Sequence, residues 1–234
     1  MIYPGNTQTD SIFLDSTLWW QIAEDEGIVL AFVCETYNAS PCSVSHSDSD
    51  KFYHSLLTIL EAQIDGSYAD LDFTRIYGSG QSAGSMATQG FVRTNPEFYA
   101  AAASTSGLAV PDGTSQLPEG AGGAMPDFVI TGQSDLDNLM PDLWGSEMAN
   151  EGITYLFDVN NMPDAQIGTA DDEHEFINDR TKVYTWENSD GVPMVKYGYT
   201  LLRAHNCSPY EMPILWDFME HFSFEKAEDG TITR

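Results

Sequence analysis

Gly80-Gln81-Ser82-Ala83-Gly84 decides how this chain is read. Arg75-Ile76-Tyr77-Gly78-Ser79, just before it, has the character of a buried strand, and a helix-like run begins at Ala83. A strand that turns so sharply into a helix forces the central residue into a strained backbone conformation, and only small neighbours let the two elements approach. Gly80, Ala83 and Gly84 are small enough. Ser82 is then held in the open at the end of a sheet, with the helix N-terminus and the Ala83 N–H aimed at a developing oxyanion. Ser82 is therefore the candidate nucleophile. The pentapeptide pattern alone is weak evidence, because many such stretches lie in surface turns, so the rest of the chain must supply the context.

Where such an elbow serves as a nucleophile, the serine is commonly followed along the chain by an acid and then a histidine, each just after a later strand. Met125-Pro126-Asp127-Phe128-Val129-Ile130-Thr131-Gly132-Gln133-Ser134-Asp135 reads as a buried strand whose C-terminal loop presents Asp135. Asp137 lies two residues on and Asp127 lies inside the strand, which leaves the assignment open; loop position and motif fit favour Asp135. The candidate base is His205. It follows the alternating run Tyr197-Gly198-Tyr199-Thr200-Leu201-Leu202 and precedes Ser208-Pro209-Tyr210-Glu211, which has the serine, proline and glutamate of a helix-starting capping box. The other histidines fit less well. His46 and His54 precede the serine, His174 lies among acids, and His221 is near the end of the last helix.

Around these points the coarse order is a strand end at Ile2-Tyr3, a helix over 16–25, a strand over 28–33 and a helix over 50–64 with apolar Phe52, Leu56, Leu57 and Leu60 on one face. The elbow strand and helix follow, then the small-residue strand 101–104, a Gly- and Pro-rich loop over 107–123 and the acid strand. The stretch 139–182 reads as irregular and as a candidate lid or substrate wall. Runs 183–188 and 193–202 around Asp190-Gly191 read as a hairpin. Strands alternating with helices predict an α/β fold, a mostly parallel sheet with helices on both faces and ligands beyond the C-terminal strand ends. Trp144 in the candidate lid and Gln81 beside the serine are the candidates for substrate contact; Trp19 and Trp20 belong to a packed helix.

The chain resembles the polyhydroxybutyrate-depolymerase and feruloyl-esterase group of α/β-hydrolases. The likeness runs from Pro4 to about Phe224 and rests on Ser16 through Leu30, on Arg75 through Met86, on Asn95-Pro96-Glu97-Phe98-Tyr99-Ala100-Ala101, on Gly132 to Asp135, and on His205 with Trp216-Asp217-Phe218. The resemblance implies an α/β-hydrolase fold, a Ser82–His205–Asp135 triad and a secreted serine esterase that works through an acyl-enzyme without a cofactor. It implies feruloyl or acetyl esters on polysaccharide as substrates, with a polyester as the alternative. A catalytically inactive binding domain and a peptidase on the same fold are the competing readings.

Two departures from that group stand out. Where it carries His-Gly after an early strand, this chain has Pro4-Gly5-Asn6. Proline has no N–H, so the second oxyanion donor is expected from the backbone of Gly5 or Asn6, alongside Ala83. The group's first strands are also missing, which predicts an exposed sheet edge at Ile2-Tyr3 and pairing with another copy.

The 234 residues are enough for one α/β domain spanning 1–234 with a full core. Acids outnumber bases 36 to 9, for a formal charge of −27, which argues against nucleic acid because phosphate needs a basic surface. A salty or extracellular setting is one reason for such a charge and solubility another. No apolar run reaches the roughly 18 residues of a membrane helix. The acidic run Ala170-Asp171-Asp172-Glu173-His174-Glu175 lacks metal-site spacing and reads as a solvated loop, so no metal is expected. Among Cys34, Cys42 and Cys207, one bridge tying down the histidine loop and free buried thiols are both open readings.

Overall fold

The computed structural model describes residues 1–6, 8–33, 58, 71–110, 124–135, 143–228 and 231–234. The strands in chain order are β1 (Ile2–Tyr3), β2 (Tyr77–Gly80), β3 (Ala101–Thr105), β4 (Asp127–Ser134), β5 (Glu175–Ile177), β6 (Thr181–Glu187), β7 (Pro193–Ala204), β8 (Glu225–Lys226) and β9 (Ile232–Thr233). The helices are α1 (Asp10–Ser16), α2 (Trp19–Glu26), α3 (Ala83–Thr94), α4 (Glu147–Val159) and α5 (Glu211–Met219). Seven strands form one sheet in the order β1-β2-β3-β4-β7-β6-β5. Its first five are parallel neighbours, and β6 and β5 add an antiparallel edge.

Alternation along β4 shows that helices cover both faces. Successive strand residues point to opposite sides of a sheet. Asp127 pairs with Arg93 of α3 at 2.6 Å, whereas the ring of Phe128 meets Phe218 of α5 edge-on at 5.6 Å. The α/β architecture is therefore a three-layer one. Between the helices, Ala101, Ala102 and Ala103 of β3 are wholly buried and short enough for close packing on both sides.

Several elements differ from their sequence reading. The helix expected over 16–25 is α2, which starts only at Trp19, and a further helix, α1, precedes it. Thr17 is extended between them, and its hydroxyl accepts the Trp19 N–H at 3.4 Å, so the chain turns and Trp19 enters the core while Trp20 remains exposed. Gly27 then ends α2 in the left-handed region (φ 66°), a conformation that favours glycine. Of the run 28–33 only Phe32 bridges the sheet, parallel to Ile2, with Ile2 N–H donating to Ala31 O and Val33 N–H to Ile2 O. That segment flanks β1 on the side away from β2, so the expected exposed edge at Ile2-Tyr3 is not found, and both residues are buried.

The stretch 139–182 is not irregular throughout. It contains α4, capped by Ser146 and burying Ala149, Gly152, Ile153, Leu156 and Phe157. Asn160, just after it, accepts the Met125 N–H at 2.7 Å and fastens the helix to the start of the acid strand. The hairpin falls where Asp190-Gly191 places it, with Gly191 at φ 75° and Asn188 N–H bonded to Val192 O. Of the helix expected over 50–64 only Thr58, which is helical, lies among the described residues. No helix among the described residues is long and apolar enough to cross a membrane.

Candidate active site

Ser82 stands between β2 and α3 with φ 56° and ψ −122°, a combination that non-glycine residues adopt only when their surroundings enforce it. The enforcement is local. Ser82 N–H donates to Thr105 O at the end of β3, and Gly84 N–H donates to Gln81 O. A Cβ on Gly80 would overlap the Gly84 carbonyl, one on Gly84 would overlap the Tyr3 and Pro4 carbonyl oxygens, and one on Gly107 would overlap the backbone of Ser82. Small residues on every side thus bring β1, β2 and α3 into contact under a half-buried serine.

His205, just beyond β7, reaches this serine. Its Nε2 lies 2.9 Å from Ser82 Oγ and its Nδ1 lies 2.6 Å from Asp135 Oδ1. The imidazole side chain is 22% exposed and the Asp135 side chain wholly shielded, so the acid end of the relay is drier than the serine end. With the proton on Nδ1 directed to Asp135, Nε2 is an acceptor for the Ser82 hydroxyl.

Asp135 is held from its other side as well. Ser106 Oγ lies 2.8 Å from Asp135 Oδ2 and 2.9 Å from Asn206 O, and its single proton can serve either. Ser106 itself has φ 54° and receives a hydrogen bond from Arg203 Nη1. Arg203 also donates to Ile130 O at 3.0 Å and to the Asn206 carbonyl, and Nη1 stands 3.6 Å from Asp135 Oδ2. Its Nε is 2.7 Å from Glu211 Oε1, which makes the two an ion pair. Glu211 accepts from Thr200 Oγ1 at 2.6 Å and from Ser208 N–H at 3.0 Å, the latter being half of the expected capping box, although α5 starts only at Glu211. Burial pushes the Glu211 carboxyl above its usual range, and Arg203 with these two donors pulls it back.

No family model matches the chain, and no curated protein matches it. Solved structures do. An acetyl xylan esterase from Aspergillus awamori superposes with a TM-score of 0.64 at 12% identity, covering 94% of this chain and 87% of that one. SOBER1 from Arabidopsis thaliana superposes with a TM-score of 0.53 at 12% identity, covering 94% and 96%. The fold is that of the α/β-hydrolases. At this identity the likeness is one of fold, and the chemistry has to be argued from the side chains.

Within this fold the remaining candidates sort by position. Asp127 is no part of the relay: it is buried and paired with Arg93, which also donates to Gln89 O. Asp137 lies outside the described residues. So do His46, His54, Cys34 and Cys42. His174 approaches Asp172 O at 2.7 Å and packs on the Tyr184 ring, and His221 is exposed beside Asp217 and Glu220. The acidic run over 170–175 is organised as a turn, with both Asp172 oxygens accepting from Thr169.

Two expected substrate contacts face elsewhere. Gln81 is buried, and its side chain lies against Gly5, where a Cβ would meet it. Trp144, half-buried, packs edge-on against Tyr184 at 4.6 Å and Tyr197 at 5.9 Å, which makes it part of the cover over β6 and β7. In the loop expected to supply the second oxyanion donor, Gly5 N–H donates to Gln8 Oε1 at 2.7 Å, which leaves exposed Asn6 as the candidate of that pair. Cys207 is a free thiol, and burial pushes it up to about 11, with Glu211 adding to the rise. A cavity of about 450 Å³ lies away from the relay, lined by Trp19, Leu30, Phe73, Tyr77, Trp216 and Met219 among others and by none of the three relay residues.

The sequence reading missed Ser106, Arg203 and Glu211 as supports of the site. Arg203 carried a signal. An arginine two residues before the candidate base, in a chain with 9 bases, is conspicuous, because a buried cation needs a paired anion. Ser106 had none, since its role depends on where three loops meet.

Proposed function

We propose that this α/β-hydrolase is a serine carboxylic-ester hydrolase that works through an acyl-enzyme. The observation that supports the reading is the unbroken relay from Ser82 through His205 to Asp135 at a strained elbow. In this mechanism His205 Nε2 takes the Ser82 proton as Oγ attacks the ester carbonyl, and Asp135 steadies the resulting imidazolium. The N-terminus of α3, beginning at Ala83, and the Asn6 amide polarise the oxyanion. His205 then returns the proton to the departing alcohol, and water repeats the sequence on the acyl-enzyme.

The substrate we propose is a small acyl ester, an acetyl or feruloyl group carried on polysaccharide. A fold neighbour that is an acetyl xylan esterase adds weight to the polysaccharide choice over a polyester. A second reading, an inactive homologue used for binding, is favoured by one feature: Gly5 N–H is already occupied by Gln8, so the loop side of the oxyanion site depends on Asn6. A fluorophosphonate probe separates the two. An esterase is labelled at Ser82 and hydrolyses an aryl acetate; a protein that does neither is the binding domain.

A further inference from the structure

We propose that Arg203 and Glu211 form a buried charge pair that sets the proton affinity of His205 from opposite directions, with Ser106 relaying the position of Arg203 to the acid. The inference rests on the triad reading, and its first readout does not depend on turnover. Arg203 is the hub. Through its two terminal nitrogens it donates to Ser106 Oγ beyond β3, to Ile130 O within β4, the strand that leads to the acid, and to Asn206 O beyond β7, the strand that leads to the base. Its cation stands 3.6 Å from the oxygen of Asp135 that His205 does not use. A neutral glutamine could make some of these hydrogen bonds, so the choice of a cation asks for an electrostatic reason.

The charges supply it. Among the described residues, Arg203 stands beside the His205–Asp135 pair, Glu211 is joined to Arg203 at 2.7 Å, the Cys207 thiol feels both of these charges, and the Ser82 hydroxyl meets His205 from the elbow. Cys207 is neutral up to about 11 and adds no charge at working pH. With a neutral imidazole, Asp135, Arg203 and Glu211 sum to one negative charge, and the imidazolium brings the cluster to neutrality. Removing Arg203 makes the surroundings more negative and favours the imidazolium. Removing the Glu211 charge leaves Arg203 uncompensated and disfavours it. A residue that merely braces the loops would move the titration in neither direction.

The test is NMR titration of the His205 ring in the folded protein, assigned with His205→Gln, together with the pH profile of kcat/KM on an aryl acetate. Arg203→Gln is expected to move the titration and the acid limb to higher pH, and Glu211→Gln to lower pH, each by at least about half a unit. Arg203→Lys, which keeps the charge, is expected to leave the limb near its original position while kcat falls. Ser106→Ala is expected to lower kcat more than it moves KM. Shifts of the same sign in Arg203→Gln and Glu211→Gln, or none in either, overturn the proposal. If Arg203→Gln does not fold, Glu211→Gln, close in shape to the original, decides by its sign alone. Should the protein prove to lack esterase activity, the ring titration still answers for the charge pair, so the two readings fail separately.

Discussion

His205 Nε2 and Ser82 Oγ stand 2.9 Å apart across 123 residues of chain. Both lie beyond the C-terminal ends of parallel strands, β7 for the histidine and β2 for the serine, and β3 and β4 separate those strands in the sheet. The contact is therefore made over the top of the sheet, where α/β folds bind ligands.

Replacing Ser82 with alanine removes the attacking oxygen from a half-buried turn without opening the core. Turnover of an aryl acetate is expected to fall by on the order of 10⁴ to 10⁶ while the thermal midpoint stays within a few degrees of the original. Retention of a tenth of the activity in purified Ser82→Ala would move the nucleophile elsewhere.

Two aspartates of one segment are expected to behave in opposite ways. Asp135→Asn changes the hydrogen-bonding role of the partner of His205 Nδ1, and kcat is expected to drop by on the order of 10⁴ with a modest change in stability. Asp127→Asn leaves buried Arg93 without its counter-charge, 2.6 Å away, and is expected to cost about 3 to 5 kcal/mol of stability while the folded fraction keeps its specific activity. Urea unfolding and initial rates on both variants decide the point. A stable, inactive Asp127→Asn would exchange the two roles.

Much of the candidate site was legible because tight turns at the C-terminal ends of strands impose local rules. Gly80, Gly84 and Ser82 announce a tight turn, and Asp135 and His205 each follow a run that reads as a strand. The misreadings have equally local causes. Helix α4 was passed over although Ala149, Gly152, Ile153, Leu156 and Phe157 follow the three-and-four spacing of a buried helical face. Their interleaving with Glu147, Glu151 and Asp158 hid that face among acids. The break at Thr17 depends on where Trp19 finds room in the core, and the occupancy of Gly5 N–H depends on a side chain three residues later. Neither is encoded in spacing.

Cys207 lies two residues from the base, yet its thiol is pushed up to about 11, mainly by burial. The thiolate is the reactive form, so alkylation of Cys207 by iodoacetamide is expected to be slow at pH 7 to 8 and to accelerate as pH rises toward 11. Peptide-resolved mass spectrometry follows the site without interference from Cys34 and Cys42. Cys207→Ala is expected to retain ester hydrolysis; abolished activity in a folded variant would give the thiol a part in the reaction.

Gly84→Ala tests how the oxyanion loop is held. The added methyl would overlap the carbonyl oxygens of Tyr3 and Pro4, which are backbone atoms and cannot turn aside as a side chain does. The loop carrying Asn6 and the N-terminus of α3 must then move apart, and a parallel measurement of the His205 ring resonances checks that the relay keeps its geometry. Since an oxyanion donor acts on the transition state more than on the bound ester, kcat is expected to fall by about 10² or more with KM little changed. Fluorophosphonate labelling, which also needs the oxyanion site, is expected to slow in parallel. An unchanged kcat in a correctly folded Gly84→Ala protein would mean that the loop at Pro4-Gly5-Asn6 contributes nothing to the chemistry, and the donor would have to be sought on another element.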